Sequence, residues 1–288
     1  MRLPPWHPHV EVWLLFSTIA AMYLIEIRRR TRETGAPAVT RKQRTLFLAG
    51  VATLWIGADW PIHDLAEHYL YSVHMFQHLL FTLVAAPLVM LGMPVWMWRA
   101  ILKPAPIAAA WRFLTRPLVA IIVFNGVLLF IHWPAVVRIS VTSEPLHFLL
   151  HFVLFGSPLV MWWPVVSPLP EMPPLAAPAK MLYLFFQSLA PTIPASFLTF
   201  GTKPLYPIYA TFPRIWGIGP LTDQLIAGLL MKLGGGLILW GVIATVFFRW
   251  YRQEQRDGWD PVQWNEFERR IRAEADAEAA NTTPGQTR

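Results

Sequence analysis

The chain has 288 residues, 55% of them hydrophobic and only 14% charged, with a formal net charge of +7 and no cysteine. Soluble domains carry roughly 25% charged residues, so an ordinary soluble fold is excluded, and the missing thiols exclude disulfides, thiolate metal sites and cysteine nucleophiles. The positive charge does not point to nucleic acid, because the basic residues flank apolar runs instead of forming a stripe on one face.

Crossing the hydrocarbon layer takes about 20 mainly apolar residues. Seven such runs are predicted, over 9–27, 45–62, 72–92, 117–137, 146–166, 180–200 and 223–248. The first carries Glu11, lacks a small-residue cleavage site and ends in Arg28-Arg29-Arg30, so it reads as a span and not as a signal peptide. The second has Asp59 and His63 in or at its end. The Pro-rich stretch 164–178 reads as a connector, and Pro191 and Pro194 are expected to kink the sixth run. Trp264 to Ala280, rich in Glu, Arg and Ala, reads as a short surface helix before a disordered end. The predicted fold is therefore all-α: a seven-helix transmembrane bundle over 1–250 and a polar tail over 251–288.

Lys and Arg in the short loops orient the bundle. The first loop holds Arg28, Arg29, Arg30, Arg32, Arg41, Lys42 and Arg44. The third holds Arg99, Lys103, Arg112 and Arg116, and the tail opens with Arg249, Arg252 and Arg256. The opposite side has only Arg2, Arg138, Lys203 and Arg214. An outside N-terminus and a cytoplasmic C-terminus are expected.

On that topology the ionisable residues gather near the outer surface. His74 and His78 open the third run, and Glu144, His147 and His151 open the fifth; Asp59 and His63 close the second, and Asp223 and Gln224 open the seventh. Residues four apart share a helix face, so each His-x-x-x-His pair offers two imidazoles in one direction. His78 and His151 each lie roughly 8 Å below their helix starts and meet if the two helices are neighbours. Random placement of the histidines predicts about 0.3 such pairs, against the two seen.

Neutral imidazole is the commonest metal ligand, and ionisable groups within a membrane default to function. The quartet His74, His78, His147 and His151 is thus a candidate metal site. Asp59, His63 and Asp223 are candidate further ligands, with Glu144, Gln224 and the thioethers of Met75 and Met231 as auxiliaries. Each has a plainer reading: interfacial packing for the histidines, a helix N-terminus for Glu144 and Asp223, core filling for the methionines. Without cysteine, imidazoles and carboxylates favour Cu(II) or Zn(II) over Cu(I). No phosphate loop, dinucleotide fingerprint or His-Glu-x-x-His motif occurs.

The run His74-Met75-Phe76-Gln77-His78, followed by Ala86-Pro87-Leu88 and Leu91-Gly92-Met93-Pro94, resembles the CtaG family of caa-type cytochrome c oxidase assembly factors. So does His147-x-x-x-His151 followed by Trp162-Trp163-Pro164, and Thr222-Asp223-Gln224 with Gly228 and Met231. Lys232 departs from the pattern, where an aromatic residue is expected after the Met. The resemblance spans roughly residues 45–245. It implies a non-enzymatic, multi-pass protein of the bacterial inner membrane that matures a haem–copper oxidase at a copper centre. Its partners would be oxidase subunits and a periplasmic copper donor. Two other readings remain: a redox protein holding haem b between His78 and His151, and a metal-free insertion scaffold or ion pathway.

Overall fold

A computed structural model describes residues 3–257, 266 and 268–274, without the side chains of 141, 144, 151 and 257. Among the described residues all regular structure is helical. The chain divides into two compact units, 1–243 and 244–288.

The first helix, α1 (Val10–Thr34), stops at Gly35, whose φ of 67° is a left-handed conformation open to glycine. Next comes α2 (Arg41–Ala58), started by a reciprocal cap between Thr40 and Gln43. After a bend of 42°, α3 (Ile62–His68) follows. A third long rod is built from α4 (Tyr71–Leu79), a π-helical segment at Leu80–Ala85 and α5 (Ala86–Gly92). Two short helices, α6 (Val95–Ile101) and α7 (Ala105–Leu114), lead to α8 (Pro117–Ile131), bent 82° from α7. Then come α9 (Pro134–Thr142), α10 (Glu144–Val166), α11 (Ala177–Leu189), α12 (Thr192–Phe200) and the single turn α13 (Pro207–Ala210). The last rod joins α14 (Pro220–Leu229), a second π segment at Leu230–Gly234 and α15 (Gly235–Asp257). In the second unit, residues 268–274 are helical; the rest of the predicted tail helix lies outside the described residues.

Five of these rods are long and apolar enough to cross a membrane: 10–34, 71–92, 145–166, 177–200 and 220–256. Counting the bent pairs α2–α3 and α7–α8 as one span each gives seven. Large apolar side chains such as Phe148, Phe152, Leu118, Phe197 and Phe200 point outward from the bundle, the surface a lipid-embedded protein needs. The predicted fourth span breaks earlier than expected: α8 ends at Ile131, and Pro134 starts α9. A proline at the first helical position begins helices well because its missing N–H has no partner there anyway. The predicted kink at Pro191 is a break between α11 and α12.

The first π segment ends two residues before Pro87. Proline lacks an N–H and its ring crowds the carbonyl one turn back, and a widened turn relieves both. The Thr82 carbonyl in that turn accepts the Trp162 indole N–H from α10 at 2.9 Å, so the irregularity also ties two rods together. At the other end of α10, away from the histidines, Trp98 and Trp111 stack and Trp163 meets both edge-on. There Arg99 grips Glu171 through two bonds of 2.9 and 3.1 Å, which hold that carboxyl well below the usual carboxylate range.

Close packing of α2 on α5 depends on Gly92. A β-carbon there would come within 2.6 Å of Phe47 Cα, a backbone atom that cannot swing aside. We expect Gly92→Ala to cost about 1–3 kcal/mol by overpacking, read as a lowered melting temperature in detergent. Gly126→Ala, where an added carbon meets nothing within 4 Å, should leave it unchanged.

Candidate functional site

The polar end of the bundle is assembled by two carboxylates that hold helices in place. Asp223, on the first turn of α14, is buried and turns away from its own helix. Its two oxygens accept the backbone N–H groups of Tyr71 at 2.8 Å and Ser72 at 2.9 Å. These are orphan donors at the start of α4, so Asp223 caps a helix about 150 residues away in sequence and also meets its positive dipole end. Asp59 plays the matching part beside α2: it accepts the indole N–H groups of Trp13 at 2.7 Å and Trp55 at 3.0 Å, and the backbone N–H of Trp60. Gln224 fastens the 201–205 loop, accepting the Leu205 N–H and donating to the Leu198 and Lys203 carbonyls.

Within that frame α3, bent 42° from α2, delivers Glu67 between two histidines from different helices. Glu67 Oε1 lies 3.1 Å from His147 Nε2 of α10 and 3.8 Å from His74 Nδ1 of α4. All three side chains are about 14% exposed. From this pivot imidazoles run both ways. Outward, His147 neighbours His63 (ring centres 6.4 Å apart), His63 neighbours His9 (4.9 Å), and His9 neighbours His7 (6.4 Å). Inward, His74 neighbours His78 (4.3 Å) and His78 neighbours His132 (5.7 Å). Asp64 anchors the outer arm, with His9 Nε2 at 2.9 Å and His7 at 3.5 Å. Gln77, fully buried, donates to the Gly57 carbonyl at 2.8 Å and lies 3.4 Å from His63 Nδ1. The arms thus link an exposed N-terminal histidine to a buried one through one acidic pivot.

Residues 21–253 match the family described as cytochrome c oxidase caa3 assembly factor. The chain belongs to that family. No curated protein and no solved structure gives a match.

For this assembly factor the structure distributes the predicted site residues unevenly. His74, His78, His147 and His63 come together around or beside Glu67. Met75 sits against His132, with Sδ 3.3 Å from Nε2. Asp59, Asp223 and Gln224 each spend their oxygens on protein N–H donors outside the imidazole string. Met231 is buried in the same packed cluster as Met75. The side chains of His151 and Glu144 lie outside the described residues. His68 is exposed. Among the described residues, no group of three or more His, Asp or Glu side chains converges tightly enough to hold one metal ion.

Glu67, Asp64, Gln77, His9 and His132 join the site without having been singled out from sequence. Gln77 had a usable signal, since it lies inside the His-x-x-x-His motif, and so had His132, an ionisable residue within the predicted run 117–137. Glu67 and Asp64 sit in a connector where acidic residues are ordinary, and only the placement of α3 against α4 and α10 gives them a role.

Proposed function

We propose that this assembly factor takes up copper as cargo at the Glu67 cluster and passes it to a subunit of the haem–copper oxidase. The observation that supports the reading is the bridging position of Glu67, between imidazoles of α4 and α10 and beside His63 of α3. A carboxylate and several imidazoles offer the nitrogen and oxygen donors that Cu(II) accepts. Pairwise contacts in place of a closed four-ligand shell suit an ion that must leave again. In this reading the chain makes seven spans in the bacterial cytoplasmic membrane, with the N-terminus and the histidines outside and the Arg-rich loops and tail inside. Copper arrives from a periplasmic donor, and the role is non-catalytic.

The test is elemental analysis of the protein purified in mild detergent, before and after copper loading. We expect copper loaded as Cu(II) near one per chain, lost when His74 and His147 are both changed to Ala. Bound iron at one per chain with a haem absorption band would replace this reading with a haem-binding redox protein. No metal at all, with oxidase maturation intact, would leave a metal-free insertion scaffold.

A further inference from the structure

The inner arm ends in an arrangement that needs a cation. His132 closes α8, and its Nδ1 lies 2.7 Å from the Leu128 carbonyl, a group that only accepts. In the neutral ring the proton is therefore on Nδ1, and Nε2 carries a lone pair. That lone pair faces Met75 Sδ at 3.3 Å, and a thioether has no proton to give. Both residues are buried, His132 at 7% and Met75 at 3% exposure. The Tyr206 hydroxyl also donates to the His132 carbonyl at 2.7 Å, so backbone and ring are both pinned. Two acceptors are thus held face to face, which is unfavourable unless positive charge joins them. The surrounding walls, Phe124, Leu128, Ile131 and Leu154, are apolar.

The same cavity is lined by His78 and Met231, with no carboxylate among its lining residues and with Lys232 on its wall. Both π segments contribute to it, through Thr82 and Leu83 on one side and Met231 and Lys232 on the other. Metal–nitrogen bonds of about 2.0–2.1 Å and metal–sulfur bonds of about 2.3 Å place neighbouring tetrahedral ligands roughly 3.5 Å apart, close to the observed separation. Thioethers select soft ions, Cu(I) above others. Neutral ligands and a nearby ammonium disfavour a doubly charged ion. We propose that Met75, His132 and Met231, with His78, form a buried Cu(I) site below the Glu67 cluster. The proposal rests on the copper reading of the chain, and the site takes up copper already as Cu(I), so no electron is exchanged with the outer cluster.

The test is X-ray absorption on the full chain in detergent, loaded with Cu(I) under ascorbate, together with competition against a Cu(I) chelator. We expect a mixed nitrogen and sulfur shell. Met75→Leu with Met231→Leu, near-isosteric changes that cores tolerate, should remove the sulfur shell and weaken Cu(I) binding at least about tenfold. Cu(II) bound at the outer cluster should stay unchanged. Cu(I) held by nitrogen and oxygen alone, or unchanged binding in the double variant, would overturn the site. So would a metal-free His132 protonated on both nitrogens at pH 7 by ¹⁵N imidazole shifts. If the variant does not fold, the shell of the unsubstituted protein decides. A sulfur shell in a chain that binds no Cu(II) would keep this site and remove the outer one.

Discussion

Replacing Asp223 with alanine is expected to destabilise the bundle by about 3–5 kcal/mol, the range for removing one side of a buried charged interaction. Each buried donor left without a partner costs about 1–3 kcal/mol, and the change orphans two of them, the N–H groups of Tyr71 and Ser72. The melting temperature in detergent should fall by roughly 10 °C, taking about 2–4 °C per kcal/mol for a chain of this size. Asp223→Asn keeps one acceptor and should fall between the two. The damage reaches further than stability. α4 carries His74, Met75, Gln77 and His78, so fraying its first turn displaces much of the imidazole string. A shift below about 2 °C would mean that α4 is held by packing and not by this cap.

Glu67→Gln tests charge without changing shape. The amide keeps the size of the carboxylate but offers one oxygen in place of two and carries no negative charge to meet His147 and His74. Copper retention should weaken about 10–100-fold, the range seen when a supporting partner of a metal site is lost. Oxidase activity in membranes should fall in parallel, with the melting temperature nearly unchanged. Glu67→Asp should restore part of the loss, because it returns the charge one methylene short. Full copper retention and full oxidase activity in Glu67→Gln would remove the pivot from the mechanism and leave Glu67 as a packing residue of α3.

Much of the architecture is legible in the sequence because it is dictated by local chemistry. Apolar runs of the right length give the helices, and 72–92 and 146–166 begin and end within two residues of the observed rods. The His-x-x-x-His pairs face one way because the helix repeat makes them do so. What escapes is non-local or breaks the repeat. Asp223 reads from sequence as a ligand or a cap for its own helix, and nothing near it in the chain indicates that its donors lie on α4. Glu67 gains its position only because α2 and α3 are bent by 42° at Asp59–Pro61. His132 falls inside the predicted run 117–137, and its meaning depends on α8 ending one residue before it, at Ile131.

The two π segments make the bundle's register a property of residue count. Each widened turn holds one residue more than an α-helical path, and a residue in an α-helix advances the face by about 100°. Deleting one residue from Leu80–Ala85 would turn the widened turn into a regular one without rotating α5 against α4, and Gly92 would still meet Phe47. Deleting one from the regular turns on either side would rotate the rod beyond it by that amount. The stripe that binds and the stripe that packs are on one continuous rod but keep separate phase. Substitutions can therefore tune either one independently, whereas among single-residue deletions between them only one inside the widened turn keeps the site on its scaffold.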